Sequence, residues 1–382
     1  MKFKIIGILL FLLILPLPCF GEMDPVLEEQ YRTSGGQTIE EYYHRELKKD
    51  LSTLLPDFSP KKTIEEFITG QVSFTPASLF RWLTTLLWGK LKTCAASFGL
   101  LLLLIVLSSM TGQLNVLGEE GGNAAVMVCS AVMCAVVAEL FDVSVRQSRE
   151  AVASMSDFVT ILTPVMATLL AGSGQFTGAS LLHPVLYGAA TFSVNTINQL
   201  IIPVIYGCFL LCVANSLAEG NQLDGFIGLL KNSMKWILTA ILTIFSGLTA
   251  VYSITGQNVD VMLSKTTRFA VGNFVPIVGG MLSESVELVL SFSSVLRRGV
   301  GLGGMVILLL IFAHVAVSLT IQLWMFRIGA AFAVPLGSPA LGKLLSDTAL
   351  CVGMMLASLC VCAVLFCIIL IMMITIGGGG II

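Results

Sequence analysis

From residue 93 to residue 376 the chain returns again and again to long apolar runs with hardly a charge between them. A stretch of about 20 apolar residues at 1.5 Å per residue crosses the roughly 30 Å of hydrocarbon in a bilayer. In that medium every backbone amide must find its partner inside the protein, which leaves helices or closed barrels. The runs are continuous rather than alternating, so the sequence predicts an all-α fold, a polytopic transmembrane helix bundle. Eight spans are expected near 93–114, 124–141, 151–172, 178–199, 200–217, 236–256, 303–325 and 350–376. Gly172-Ser173-Gly174 and Pro203 break the 151–217 block, so one pair there could be half-spanning, giving seven to eight.

Charge placement sharpens this. Residues 1–92 hold 11 of the 21 Lys and Arg and 11 of the 23 Asp and Glu, so 290 residues share the remaining 22 charges. The net charge is −2 with no basic cluster, which argues against nucleic-acid binding, since that requires clustered cations to displace counterions. The cysteines past the N-terminal segment all lie in apolar runs, and Cys360-Val361-Cys362 lacks the spacer of a redox or zinc pair. They read as small apolar packing residues, with no metal and no cofactor expected. Catalysis has little support: Gly178-Ala179-Ser180-Leu181 and His314 are the nearest approach to a serine–histidine pair, and no zinc-protease or nucleotide-binding motif occurs.

The chain starts with Lys2 and Lys4, then an apolar stretch, then Pro16, Pro18, Cys19 and Gly21. That pattern predicts a signal peptide over residues 1–21. Residues 22–92 are expected to be a small helical region outside the cytoplasm, ending in an interfacial helix from Thr75-Pro76 with Trp82 and Trp88 at headgroup depth. Two Thr-Ile-Glu-Glu tetrapeptides, at 38–41 and 63–66, are expected to cap helices, and Ile39, Tyr43, Leu47, Leu51 and Leu55 form one stripe. The transmembrane domain then covers 93–376, with a glycine-rich tail at 377–382. A cleaved signal places 115–123 inside, yet that segment is acidic while 142–150 carries Arg146 and Arg149, so the positive-inside rule opposes the simple orientation.

Polar residues within apolar runs are the candidates for function. Glu139, Asp142, Arg146 and Arg149 share one helical face, either a self-paired solvated surface or a partner-docking one. Glu284, Glu287, Ser291, Ser294 and Arg298 form a narrow stripe that either lines a passage or packs on another helix, or else faces water. His183, beside Pro184, with Asn195 and Asn198, could join helices or contact a solute in the most broken part of the chain. Residues 164–170 and 276–282 are alike in character, which suggests that roughly 155–220 and 267–335 are related halves.

The stretch Thr267-Arg268-Phe269-Ala270-Val271-Gly272-Asn273-Phe274-Val275-Pro276-Ile277-Val278-Gly279-Gly280, together with Leu182-His183-Pro184 and Val334-Pro335-Leu336-Gly337, resembles the stage III sporulation protein AE family of endospore-forming bacteria. The similarity runs over most of 75–376. It implies a multi-pass protein of the mother-cell membrane facing the forespore, needed for late forespore gene expression. Its partners would be the lipid bilayer and other membrane proteins of the same sporulation complex, a channel or secretion-like assembly. A stand-alone secondary transporter and a scaffolding membrane anchor are the competing readings.

Overall fold

The computed structural model describes residues 25–47, 59–69, 76–113, 118–173, 188, 191–192, 194–217, 223–247 and 279–375. The expected signal peptide, His183 and Pro184, the Gly178–Leu181 stretch, the tail, and residues 267–278 of the family-like stretch lie outside them.

Among the described residues the fold is all-α, and six helices are long and apolar enough to cross a membrane. Three short helices come first: α1 (Pro25–Thr33), α2 (Gly36–Tyr42), which runs into a π-helical turn at Tyr43–Leu47, and α3 (Pro60–Thr69). The long helices follow as α4 (Pro76–Gln113), α5 (Gly118–Gly172), α6 (Ile202–Leu217, entered through a π-helical turn at Thr196–Ile201), α7 (Asp224–Gly247), α8 (Gly279–Ala333) and α9 (Pro339–Thr375).

Among the described residues six such helices occur: one expected pair of spans merges, and most of the expected 178–199 span lies outside them. Residues 124–141 and 151–172 belong to one 55-residue helix, α5. The charged segment 142–150 between them is amphipathic helix, not a loop, because Ser144, Val145 and Ser148 are buried on its inner face. Arg146 and Arg149 therefore carry no weight under the positive-inside rule, which counts loops. α4 runs without interruption across residue 92, and Lys90 meets His314 of α8. Residues 218–235 hold the start of α7. Of the two similar segments, 164–170 closes α5 while Gly279 opens α8; Pro276 lies outside the described residues.

Neither Thr-Ile-Glu-Glu tetrapeptide starts a helix. α2 begins at Gly36, after Gly35 turns the chain at φ +94°, so Thr38 is already inside. α3 begins at Pro60, whose ring presets the helical φ, and the Thr63 hydroxyl donates back to the Ser59 carbonyl at 3.0 Å. Of the expected stripe, Ile39 and Tyr43 are buried, while the rest lies outside the described side chains.

α8 and α9 form the centre, antiparallel across a tight reversal. Gly337 adopts φ +85°, a left-handed conformation that costs other residues about 1–2 kcal/mol. The Ser338 amide donates to the Ala333 carbonyl at 3.0 Å, and Pro339 opens α9. A Cβ at Gly337 would meet open space, so only the backbone penalty applies. Gly337→Ala is expected to lower stability by about 1–2 kcal/mol, read as a lower thermal midpoint in detergent.

The short helices pack on one flank of this core. Ile64 and Ile68 of α3 are buried against glycines of α8: a Cβ on Gly299 would lie 2.3 Å from Ile68 Cγ1, and one on Gly303 2.6 Å from Ile64 Cγ1. Gly303→Leu should therefore cost about 1–3 kcal/mol by overpacking and expose α3 to faster amide exchange. α2 docks on α5, where the Tyr42 hydroxyl donates to the Ser154 carbonyl at 3.1 Å and its ring lies 6.1 Å from Phe158. Burial is the main cause that pushes Tyr42 up to about 12. The folded state thus favours the neutral phenol. Its contribution is complete below the free tyrosine value of about 10 and is lost as pH rises through about 12. Tyr42→Phe should flatten that alkaline loss in a pH-dependent melt.

Candidate functional site

Side-chain contacts fix how the long helices align. Ser144 of α5 donates to Gln322 of α8 at 2.6 Å, Ser318 donates to Gln147 at 2.9 Å, and Leu162 faces Gly304. α5 and α8 are therefore antiparallel, with residues 144–162 of one beside 304–322 of the other. Residues 299–326 of α8 carry no Asp, Glu, Lys or Arg, a length of about 42 Å at 1.5 Å per residue. Beside that uncharged stretch α5 places Arg146, Arg149, Glu150 and Asp157 on its outer face, all exposed.

Charge beside an apolar core at this level has a physical consequence. Ionisable groups are expensive in hydrocarbon, and where they occur they face water-filled space or protein. The outer surfaces of α4 and α7 are mainly apolar: α4 exposes Leu100, Leu103, Leu107 and Met110, and α7 exposes Trp236 and Ile244 at 72% and 71%, with Lys92 and Lys235 the exposed charges among them. These surfaces contrast with the charged outer face of α5.

The expected site residues divide accordingly. Glu139, Arg146 and Arg149 are exposed and Asp142 half-buried on the outer face of α5, where Arg146 pairs with Asp142 at 3.1 Å. With both side chains so accessible, that pair adds little stability. Glu284 and Glu287 occupy the first turns of α8, but their side chains are outside the described set. Ser291 and Arg298 are exposed and Ser294 half-buried, its hydroxyl donating to the Ser291 carbonyl at 2.8 Å. The described part of that stripe faces outward. Asn195 is exposed, while Asn198 is half-buried with its Oδ1 enclosed and without a hydrogen-bond partner. The structure does not bring the α5 face and the α8 stripe into one cluster.

Sequence reasoning missed the inward-facing polar residues one position away. Ser293 and Arg297, both 0% exposed, sit where α8 meets α1 and the end of α5: Gln30 Nε2 donates to Ser293 Oγ at 2.5 Å, and Arg297 Nη1 donates to Ser173 Oγ at 3.3 Å. Likewise Ser144, Ser148, Ser318 and Gln322 form a buried layer between α5 and α8, with half-buried Gln147 at its edge, and Ser148 also reaches the Met355 sulfur of α9 at 3.7 Å. Single uncharged polar residues in apolar runs carried this signal, but they are common enough to hide in composition. His314 lies at the same level, with the Lys90 ammonium donating to its Nε2 at 3.1 Å.

A second polar cluster closes the opposite end of α9. Lys343 bonds Asp224 at 2.7 Å, Asn215 Nδ2 donates to Asp224 at 2.7 Å, and Lys231 pairs with Asp347 at 2.8 Å. These contacts run α6 antiparallel and α7 parallel to α9. They also bring Cys208 and Cys212 of α6 up to Cys351 of α9.

Residues 58–377 match the family described as Stage III sporulation protein AE. The chain belongs to that family. It is similar to the Stage III sporulation protein AE of Bacillus subtilis (strain 168), 27% identical over 337 residues that cover 88% of this chain and 84% of the relative. No solved structure matches it. Family membership and six apolar helices make this a multi-pass membrane protein of sporulation. The resemblance noted in the sequence is thereby upheld, although most of the stretch that carried it lies outside the described residues.

Proposed function

We propose that this chain is the polytopic subunit of a channel or secretion-like complex in the mother-cell membrane facing the forespore, where it supports late forespore gene expression. The observation that carries the reading is the charged outer face of α5 alongside the uncharged stretch of α8. A helix so placed needs water or protein against it, while the apolar surfaces of α4 and α7 suit lipid. Several copies arranged with the charged face of α5 inward would enclose a polar passage. Its role is structural and conductive rather than enzymatic. Glu139, Asp142, Arg146 and Arg149 then face the passage, and Glu284, Glu287 and Arg298 flank its end.

Purification from sporulating cells tests this directly. The chain should come out with other envelope proteins in a fixed ratio and as more than one copy per particle. A lone monomer in mild detergent would overturn the reading.

A further inference from the structure

The fold brings together three cysteines that are far apart in sequence. Cys208 and Cys212 are four residues apart on one face of α6, and Cys351 meets them from α9. All three are buried, and their sulfurs lie within 4.8 Å of one another. A zinc–sulfur bond of about 2.3 Å in tetrahedral geometry separates sulfurs by about 3.8 Å. The sulfurs are thus within about 1 Å of the spacing that such a site needs.

We propose that Cys208, Cys212 and Cys351 bind one thiophilic d10 cation, zinc(II) or copper(I), that clamps α6 to α9. Thiolate sulfur is the donor that selects these ions. Binding would replace three S–H bonds by three metal–sulfur bonds and release three protons to water. Charge favours the divalent ion. Three thiolates around zinc(II) leave one negative charge where copper(I) would leave two, and buried charge is costly. Asp347 stands one turn before Cys351 on α9, and its carboxylate, now held by Lys231 at 2.8 Å, is close enough to act electrostatically on Cys212. The Lys231–Asp347 pair lies one turn from the site, where the lysine helps to offset its negative charge. Among the described residues this is the one grouping of three or more metal-ligating side chains. The expectation that the cysteines are only packing residues considered neighbours in sequence, and this trio exists only once α6 lies on α9.

The test uses the full chain purified in detergent under reductant and without chelator. Metal per chain is measured by mass spectrometry as isolated, then after exposure to zinc sulfate or to copper(I) under a competing chromophoric chelator. Cobalt(II) substitution reports thiolate ligation through its charge-transfer absorption. The expected result is one equivalent of zinc or copper per wild-type chain. It should be lost in Cys208→Ala, Cys212→Ala and Cys351→Ala but kept in Cys362→Ala and Cys367→Ala, which lie elsewhere on α9. Stripping the wild-type metal should lower its melting temperature, and reloading should restore it, which keeps the test valid where a variant misfolds. Three outcomes would overturn the proposal: no stoichiometric binding of either ion, equal loss in the control variants, or a disulfide between two of the three under reductant.

Discussion

Replacing Arg146 and Arg149 together with leucine should leave the protein folded and inserted, yet reduce heat-resistant spore formation to the level of a strain lacking it. Both guanidinium groups point away from the core: the Arg146 side chain is 63% exposed, and its one ion pair, to Asp142, is itself accessible. The inner face of the same turns is fixed independently by Ser144, Gln147 and Ser148. Leucine at these positions keeps helix propensity and removes only charge. A stability effect within about 0.5 kcal/mol is therefore expected, as for surface substitutions generally. If the face lines water or meets a partner, function should fail all the same. Reintroducing lysine at both positions should restore most of it if field alone matters, and less if bidentate pairing matters. Membrane abundance by immunoblot and spore titre after heating are the two readings, and they are expected to separate.

The largest expected effect on stability is at Phe141. Its ring is 0% exposed and stacks on Phe209 of α6 with centroids 4.0 Å apart and planes 16° off parallel, with Tyr206 at 6.0 Å. It therefore joins α5 to α6. Truncating a buried aromatic to alanine costs about 3–5 kcal/mol through lost contacts and the cavity left behind. In a membrane the transfer contribution is weaker, because lipid is itself apolar and packing dominates. A loss of about 3 kcal/mol is therefore expected for Phe141→Ala, at the low end of that range. Because α6 also carries Cys208 and Cys212, the same variant should increase their reactivity toward a thiol reagent. Phe141→Leu, which keeps most of the volume, should recover most of the loss.

How far the sequence foretold this arrangement depends on what each signal measures. The apolar runs gave the helices and the membrane class, because hydrocarbon admits few backbone solutions. They did not show that 124–141 and 151–172 belong to one helix. Residues 142–150 are polar enough to read as a loop, and only the burial of Ser144 and Ser148 against α8 and α9 shows that α5 continues through them. The Glu139–Arg149 face was legible from its 3–4 spacing. The Ser291–Arg298 stripe was legible too, yet the buried partners are its neighbours Ser293 and Arg297. Spacing identifies a face but not which face turns inward. The cysteine trio and the Lys343–Asp224 link join residues more than 100 apart, so no local pattern could announce them. The left-handed turn at Gly337 lies in the Val334-Pro335-Leu336-Gly337 segment that carries part of the family resemblance.

The central claim is that the outer face of α5 is in water beside a flank that is in lipid. Cysteine accessibility in intact membranes tests it most directly. The background should keep Cys208, Cys212 and Cys351, which are 0–1% exposed, and replace the other cysteines by alanine. Single cysteines are then placed at Arg146, at Arg149 and at Trp324, which is 55% exposed on α8 about one turn from the level of Arg146 and two from that of Arg149. A membrane-impermeant maleimide should label the two α5 positions rapidly and leave position 324 unlabelled until detergent is added. Protection of both α5 positions would contradict the account, and so would equal labelling of all three.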